Sequence, residues 1–321
     1  MGAEPKDHPH PLLLVGPTAV GKSEIAVHLA VQLGGEIVSV DSMQVYRGMD
    51  IGTGKVLPAE RARVPHHLID VVDLTEPFDA AKFVALANQA VNEIQSCDRV
   101  PILCGGTGLY FKAFLEGLGD APPANPELRA ELEATPLPKL LRELETRDPA
   151  TFQEIDQRNP RRIIRAVEVI RLTGKPFSAQ RARWGEATDE PPSLSNGSRG
   201  RSPHQIICLT RAAADLHARI NSRVQKMFAA GLVDETRGLL NIGLEQNHTA
   251  MQAIGYRQVV EHLRGERSLS ETIELVKVKT RQFAKRQMTW FRRQLKVEWI
   301  GLEPQALPEQ VARLVQASLA G

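Results

Sequence analysis

Short apolar runs alternate with stretches of helical periodicity over the first third of the chain. Leu12-Leu13-Leu14-Val15 has the length of a buried strand, and Glu24-Ile25-Ala26-Val27-His28-Leu29-Ala30 follows as a helix. After Gly34-Gly35, Glu36-Ile37-Val38-Ser39-Val40 reads as a second strand, His66-His67-Leu68-Ile69-Asp70-Val71-Val72-Asp73 as a third, and Val100-Pro101-Ile102-Leu103-Cys104 as a fourth. Between the last two, Phe83, Leu86, Ala87, Ala90, Val91 and Ile94 recur at helical spacing within Phe78 to Ile94. Strands that alternate with helices predict an α/β fold, a parallel sheet flanked by helices.

The pattern changes after Gly117. Ala121-Pro122-Pro123-Ala124-Asn125-Pro126 reads as a linker, and Glu127 to Leu144 is helical and charged. Asp148-Pro149 and Asn159-Pro160 punctuate the next stretch, and Pro160 suits a first helical position. Arg161 to Leu172 predicts an amphipathic helix, with Ile163, Ala166, Val167 and Ile170 on one face, and Thr173-Gly174-Lys175-Pro176 stops it. Glu186 to Pro203 has no periodicity and is expected to be a flexible loop. Gln205-Ile206-Ile207-Cys208-Leu209 returns to strand and is expected to rejoin the first sheet; His217 to Met227 is helical, and Ala253-Ile254-Gly255-Tyr256-Arg257-Gln258 leads into another helix. The resulting division is a core over 1–119, an all-helical insertion plus linker over 120–203, and the second part of the core over 204–321.

Composition narrows the class of protein. With 321 residues, 42% apolar and 24% charged, the chain has the make-up of a soluble globular protein with ample core. A net charge of +2 means that any nucleic-acid partner must be met by local basic patches. Cys97, Cys104 and Cys208 lack metal-type spacing, no apolar run approaches membrane-spanning length, and Met1 to His8 is polar; a cytoplasmic, non-membrane protein is the expectation.

The chemistry starts at the end of the first strand. Gly16-Pro17-Thr18-Ala19-Val20-Gly21-Lys22-Ser23 is the G-x-x-x-x-G-K-S phosphate loop. Its glycines allow a tight turn of inward N–H groups, Lys22 adds positive charge, Ser23 offers a hydroxyl to Mg²⁺, and the helix behind adds its dipole. The second strand delivers Asp41 to the same edge of the sheet, where α/β folds bind ligands. The run from Asp41 to Lys55 is too rich in polar residues and glycine for a plain connector. The fourth strand ends in Gly105-Gly106-Thr107-Gly108, with none of the acid that holds Mg²⁺ in motor-type ATPases. Thr107 is either a ligand group there or the cap of a glycine turn. The His66-His67 pair is read as a strand entrance rather than a metal site. Arg219 and Arg223, one helical turn apart, are either a phosphate clamp or a solvated face.

Two basic patches remain. Arg158, Arg161, Arg162 and Arg165 lie within eight residues, nearly without acids before Glu168, which fits contact with a phosphate backbone. Lys277 to Lys296 holds eight Lys/Arg and no acid, with Lys277, Arg281, Lys285, Arg292 and Lys296 at stripe spacing and Phe283, Trp290 and Phe291 interleaved. A stripe of one sign favours nucleic-acid binding over a salt-bridged face.

Taken in order, these segments resemble the bacterial tRNA dimethylallyltransferases over nearly the whole chain. The resemblance rests on Gly16 to Ser23, Asp41 to Thr53, Gly105 to Tyr110, Arg161 to Glu168, Ala253 to Tyr256 and Thr280 to Trp290. It implies a P-loop NTPase-like core with a helical insertion gripping the anticodon stem. It also implies transfer of a dimethylallyl group from dimethylallyl diphosphate to N6 of the adenosine 3′ of the anticodon, in tRNAs reading codons that begin with U. Asp41, Thr107 and Arg223 would then be catalytic, and Gly16, Pro17, Thr18, Ala19, Val20, Gly21, Lys22 and Ser23 would hold the diphosphate with Mg²⁺. Asp41, Ser42, Met43, Gln44, Thr107, Arg129, Arg161, Arg162, Ile163, Ile164 and Arg165 would contact tRNA, together with Arg281 and Lys285 of the basic stripe. The enzyme is expected to act as a monomer. A P-loop small-molecule kinase and an adenylate isopentenyltransferase are the competing readings; neither has use for tRNA-sized basic surfaces.

Overall fold

The structure, a computed structural model, describes residues 9–118, 121–180 and 205–319. The expected flexible loop from Glu186 to Pro203 lies outside them. The described residues form two compact units, one holding residues up to Phe114 and those from 205 onward, the other beginning at Leu115.

The first unit is built on a six-stranded sheet in the order β3-β2-β4-β1-β5-β6. Its strands are β1 (Leu12–Val15), β2 (Glu36–Val40), β3 (His66–His67), β4 (Pro101–Gly105), β5 (Gln205–Arg211) and β6 (Glu298–Leu302). All pairings are parallel. The apolar run of β1 is fully buried because β4 and β5 pair with its two edges and helices cover its faces. Its helices are α1 (Lys22–Leu33), α2 (Pro58–Arg61), α3 (Ala80–Ser96), and α4 (Gly108–Glu116), which ends in the second unit. On one face, Ile25, Ala26 and Leu29 of α1 pack with Val311, Ala312 and Val315 of the C-terminal helix against β1, β4 and β5.

The third strand is shorter than its sequence suggests. It stops after His67 because Leu68 and Asp70 adopt left-handed backbone (φ 61° and 58°), which cannot continue a pleat. His66 and His67 are not brought together as ligands: His66 Nδ1 meets the Val64 carbonyl at 2.7 Å and His67 Nε2 meets Glu36 at 2.6 Å.

The second unit is helical: α5 (Pro126–Ala134), α6 (Leu137–Arg147), α7 (Pro149–Glu154) and α8 (Pro160–Thr173). The helical stretch expected over Glu127–Leu144 is two helices, broken at Thr135-Pro136. Three starts share one device, a capping side chain followed by proline: Asn125, Asp148 and Asn159 accept the N–H groups of Leu128, Thr151 and Arg162. The run read as a linker therefore ends as a helix cap. Leu132, Leu140, Leu144, Ile163, Val167 and Ile170 form the core of this unit.

The chain returns to the first unit through β5, followed by α9 (Ala213–Ala229), α10 (Leu232–Asn241), α11 (Tyr256–Leu263), α12 (Leu269–Gln294) and α13 (Pro308–Leu319). The buried positions of α12, including Thr272, Val276, Ala284, Gln287 and Phe291, form one stripe.

Candidate active site

Three loops meet at the carboxyl edge of the sheet: the phosphate loop after β1, Asp41 after β2, and Gly106-Thr107 after β4. Adjacent parallel strands bring them together.

The phosphate loop is fixed mainly through its carbonyls. Lys22 Nζ donates to Pro17 O (3.3 Å), Arg219 Nε to Ala19 O (2.9 Å) and Arg211 Nε to Val20 O (2.8 Å). Across a trans peptide the next N–H points the opposite way, so the tie at Val20 turns the Gly21 N–H away from Arg211. Gly21 has φ 106°, and Ala19 is left-handed at φ 65°. The start of α1 then presents further N–H groups without intrahelical partners, which makes an anion cradle. Burial lowers the Lys22 pKa from its ordinary 10.5, and Arg223 pushes it the same way, while Cys104 and Asp41 favour the charge.

Arg223 belongs to the site and not to a solvated face. Burial lowers its pKa, opposed by Asp41. One terminal nitrogen donates to Thr53 O at 3.1 Å, and the guanidinium packs where a Cβ on Gly54 would fall 2.1 Å from it. A desolvated guanidinium beside a second cation suits an incoming anion. Arg219 is brought close too, but as a brace for the loop.

Asp41 Oδ1 accepts the N–H groups of Met43 (2.9 Å) and Gln44 (3.3 Å), which fixes the carboxylate in an Asx turn. Thr107 Oγ1 accepts the Ser42 N–H at 3.2 Å, so Asp41 and Thr107 are held one residue apart across two strands. Thr107 also stands at the cap position of α4, where its carbonyl accepts the Tyr110 and Phe111 N–H groups (2.9 and 3.3 Å), while its hydroxyl makes this tie. Gln44 donates to Thr53 O at 3.5 Å and meets Ser39 at 3.2 Å.

The rest of the loop is clamped from α10 and α11 by residues to which the sequence assigns no role. Glu235 accepts the N–H groups of Asp50 (3.2 Å), Ile51 (2.8 Å) and Gly52 (3.2 Å) and the Tyr256 hydroxyl (2.6 Å). Tyr256 OH also accepts from Gly52 at 3.1 Å. Lys55, buried, bonds Tyr46 O, Asp50 and Asp70. Tyr256 was visible only as part of the Ala253 to Tyr256 run, and nothing local marks Glu235.

Residues 44–294 match the family model described as IPP transferase. The chain belongs to the IPP transferase family. It is 43% identical over 314 residues to tRNA dimethylallyltransferase 1 of Trichlorobacter lovleyi, covering 97% of this chain and 98% of that one. It is 45% identical over 293 residues to the tRNA dimethylallyltransferase of Geobacter sulfurreducens, covering 90% and 91%. Among solved structures it resembles the full-length tRNA isopentenylpyrophosphate transferase of Bacillus halodurans, with a TM-score of 0.67, 38% identity and 97% of each chain covered. A eukaryotic dimethylallyltransferase acting on tRNA aligns with a TM-score of 0.79 and 26% identity over 97% of this chain and 78% of that one. The core is thus the P-loop-like architecture of this family.

Several residues expected at an RNA surface are placed otherwise. Ile163 and Ile164 are corrected: both lie in the core of the second unit, so their side chains are closed to RNA. Arg129 and Arg165 both pair with Glu168, at 2.9 and 2.7 Å, and Glu168 is fully buried. Glu168 also accepts the Asn125 N–H, and Arg165 donates to Pro122 O at 2.6 Å. These two arginines therefore organise the start of the unit, and the patch read as nearly acid-free has its counter-charge inside. Arg161 and Arg162 are exposed.

The basic stripe of α12 is also redrawn. Lys277 is buried against Glu274 at 2.7 Å, Arg281 donates to Asn221 on α9 at 2.6 Å, and Lys296 lies beyond the helix end. The exposed cations of this helix are Lys279, Lys285, Arg286, Arg292 and Arg293. Ser42, Met43 and Gln44 are half-buried beside Asp41, and Ser23 is exposed at the start of α1.

Proposed function

We propose that this chain transfers a dimethylallyl group from dimethylallyl diphosphate to N6 of the adenosine 3′ of the anticodon of tRNAs that read codons beginning with U. The observation that carries this reading is the pairing of a phosphate cradle with a fixed carboxylate, Asp41, and Thr107 at one sheet edge of an IPP transferase family chain. The tRNA dimethylallyltransferases it resembles supply the substrates.

The chemistry follows from the residues. N6 attacks C1 of the allyl group as the C1–O bond breaks, and the electron pair leaves with the diphosphate. Lys22, Arg223 and the N–H groups of Gly21 and α1 stabilise that leaving charge in a desolvated place. N6 becomes acidic only as its new bond forms, and Asp41 then takes its proton. Both backbone donors occupy Oδ1, so Oδ2 is the oxygen that receives it. Thr107 positions the adenine edge beside Asp41. The adenine leaves its stack to reach this edge, as bases do in other base-modifying enzymes.

The donor set fits Mg²⁺ held mostly by substrate. Among the described residues no group of three or more His, Cys, Asp or Glu is arranged as a metal cage. Ser23 carries a hard hydroxyl at the start of α1, and the small cleft it borders is lined by Ser39 and Gln44 but mostly by apolar side chains such as Ile37, Val56 and Ile69. Mg²⁺ takes hard oxygens, so the Ser23 hydroxyl would be the protein's contribution, with diphosphate oxygens and water completing the shell. Ser23 would hold the ion, which supplies counter-charge to the leaving diphosphate.

Competing acceptors and donors test the proposal. Purified protein should prenylate unmodified tRNA with a UNN anticodon from dimethylallyl diphosphate. Asp41→Ala should abolish turnover and leave tRNA affinity within about threefold, because the lost group acts on the reacting proton. Equal activity on free AMP, or ATP-dependent phosphorylation without prenyl transfer, overturns it.

A further inference from the structure

Gln287 is one of three buried polar residues of α12, with Thr272 and Lys277, and the one that reaches two loops of the site. Its Oε1 accepts the Thr18 N–H at 2.9 Å, and its Nε2 donates to Gly106 O at 2.9 Å. The amide orientation is fixed by its partners, since a peptide N–H only donates and a carbonyl only accepts. The neighbouring chain is shaped around this contact. A Cβ on Gly106 would fall 2.3 Å from Gln287 Nε2, and one on Gly108 would fall 2.2 Å from the Trp290 ring. Further along α12, Gln294 accepts from Lys112 of α4 at 2.9 Å. The glycines around Thr107 thus admit a helix, and α12 lies on the β4–α4 junction at positions 287, 290 and 294.

The two bonds of Gln287 close a continuous path. Thr18 in the phosphate loop is tied to Gln287, and Gln287 to Gly106. Thr107 follows in the chain and holds Ser42, which is next to Asp41. We propose that Gln287 is a positioning residue that latches the phosphate loop to the Thr107–Asp41 pair. It sets the distance between the departing diphosphate and the group that takes the N6 proton. It also removes the Thr18 N–H from the donors that face the anion. The role in catalysis rests on the prenyl-transfer reading; the effect on anion binding does not.

A buried amide that satisfies two loops at once has no apolar substitute, because both partners are left unpaired when it goes. Gln287→Leu should raise the Kd for inorganic pyrophosphate, measured by calorimetry without RNA, by about 10- to 100-fold, and should lower kcat at saturating tRNA. The Kd for tRNA should stay within about twofold, since the side chain faces away from the exposed cations of the helix. Gln287→Glu gives a signature that packing alone cannot. As a carboxylate it can accept from Thr18 but cannot donate to Gly106; protonated, it regains one donor and one acceptor. Its pyrophosphate affinity relative to the unsubstituted chain should therefore recover as pH falls from 8.5 towards 5.5, about tenfold across the range. In the unsubstituted chain the Thr18 amide should exchange slowly with solvent deuterium before any ligand is added, a readout that needs no variant.

A pyrophosphate Kd for Gln287→Leu within about threefold of the unsubstituted value overturns the latch. So does a Gln287→Glu ratio that is flat with pH, a fast-exchanging Thr18 amide, or a loss confined to tRNA affinity. If the unsubstituted chain binds pyrophosphate with the expected dependence on Gln287 but prenylates no tRNA, the latch stands and the transferase reading falls.

Discussion

The clamp at Glu235 allows one perturbation to be followed from atoms to rate. Its two carboxylate oxygens hold three backbone N–H groups and the Tyr256 hydroxyl. Gln at this position keeps the shape but turns one oxygen into a donor. The less costly orientation keeps oxygen at the Asp50 and Ile51 side, where the shortest N–H bond is 2.8 Å. Gly52 then keeps its bond to Tyr256 OH, and the phenol loses its acceptor. The loss is two hydrogen bonds to a charged group, the one from Gly52 offset by the bond it keeps to Tyr256 OH, plus the weakening of two others, about 2–3 kcal/mol. Treated as local opening, Glu235→Gln should speed amide exchange at Ile51 and Gly52 by about 30- to 150-fold. Thr53, next in the chain, supplies the carbonyl that holds Arg223. The same variant should therefore lower kcat more than it raises the KM for tRNA. Tyr256→Phe should do part of this, and the two together should fall short of additivity by at least about 1 kcal/mol, because they break one shared bond. Unchanged exchange at Ile51 and Gly52, or a strictly additive cycle, would refute the clamp.

The proposed contact of tRNA with the exposed cations of α12 makes a prediction in salt. Reversing Lys285 and Arg286 to Glu should flatten the slope of log K for tRNA against log salt by about 0.7–0.9 for each phosphate that is no longer neutralised, while Lys277→Met should leave it unchanged. An equal effect at Lys277 would return the buried lysine to the interface. The base of the sheet makes a prediction in pH. Burial alone would raise the Glu36 pKa, but hydrogen bonds from His67 and Arg99 outweigh it and hold the carboxyl below its ordinary 4.5. A carboxyl depressed in the folded state stabilises above its unfolded pKa, and that contribution is lost as pH falls through the folded value. Thermal unfolding should show a fall in stability below about pH 4.5 that is shallower in Glu36→Gln.

The parts of the site that could be read in the sequence are those built within a few residues. Leu12 to Ser23 carries its strand, turn and helix in one run, and Asp41 and Thr107 each end a recognisable strand. The fold class followed from the same alternation. The bracing of the site was hidden because its partners are far apart: Thr18 and Gln287 are separated by 269 residues, and Ile51 and Glu235 by 184. Nothing near Glu235 distinguishes it from a solvated helix acid. Gln287 sits uncharged inside a cationic run that draws attention to its neighbours. The misplaced stripe had a local signal, however. Reading α12 from Lys277 leaves out Glu274, three residues upstream and one turn away. Ile163 and Ile164 show the opposite case: the apolar spacing that predicted the helix already assigned Ile163 to its buried face.

The order of strands in the sheet has a consequence for how the chain is made. β1 lies inside the sheet, yet one of its edges is covered only by β5, which begins at residue 205. A ribosome that has synthesised the first strands and both early loops has therefore produced a phosphate motif with one flank open. Leu12 to Val15 presents an unpaired apolar edge until the second half of the core emerges. The latch waits longer still, for residue 287 of 321. The proposed diphosphate site is then among the last features to mature, and a chain that terminates before β5 should bind other nascent edges more readily than it binds diphosphate.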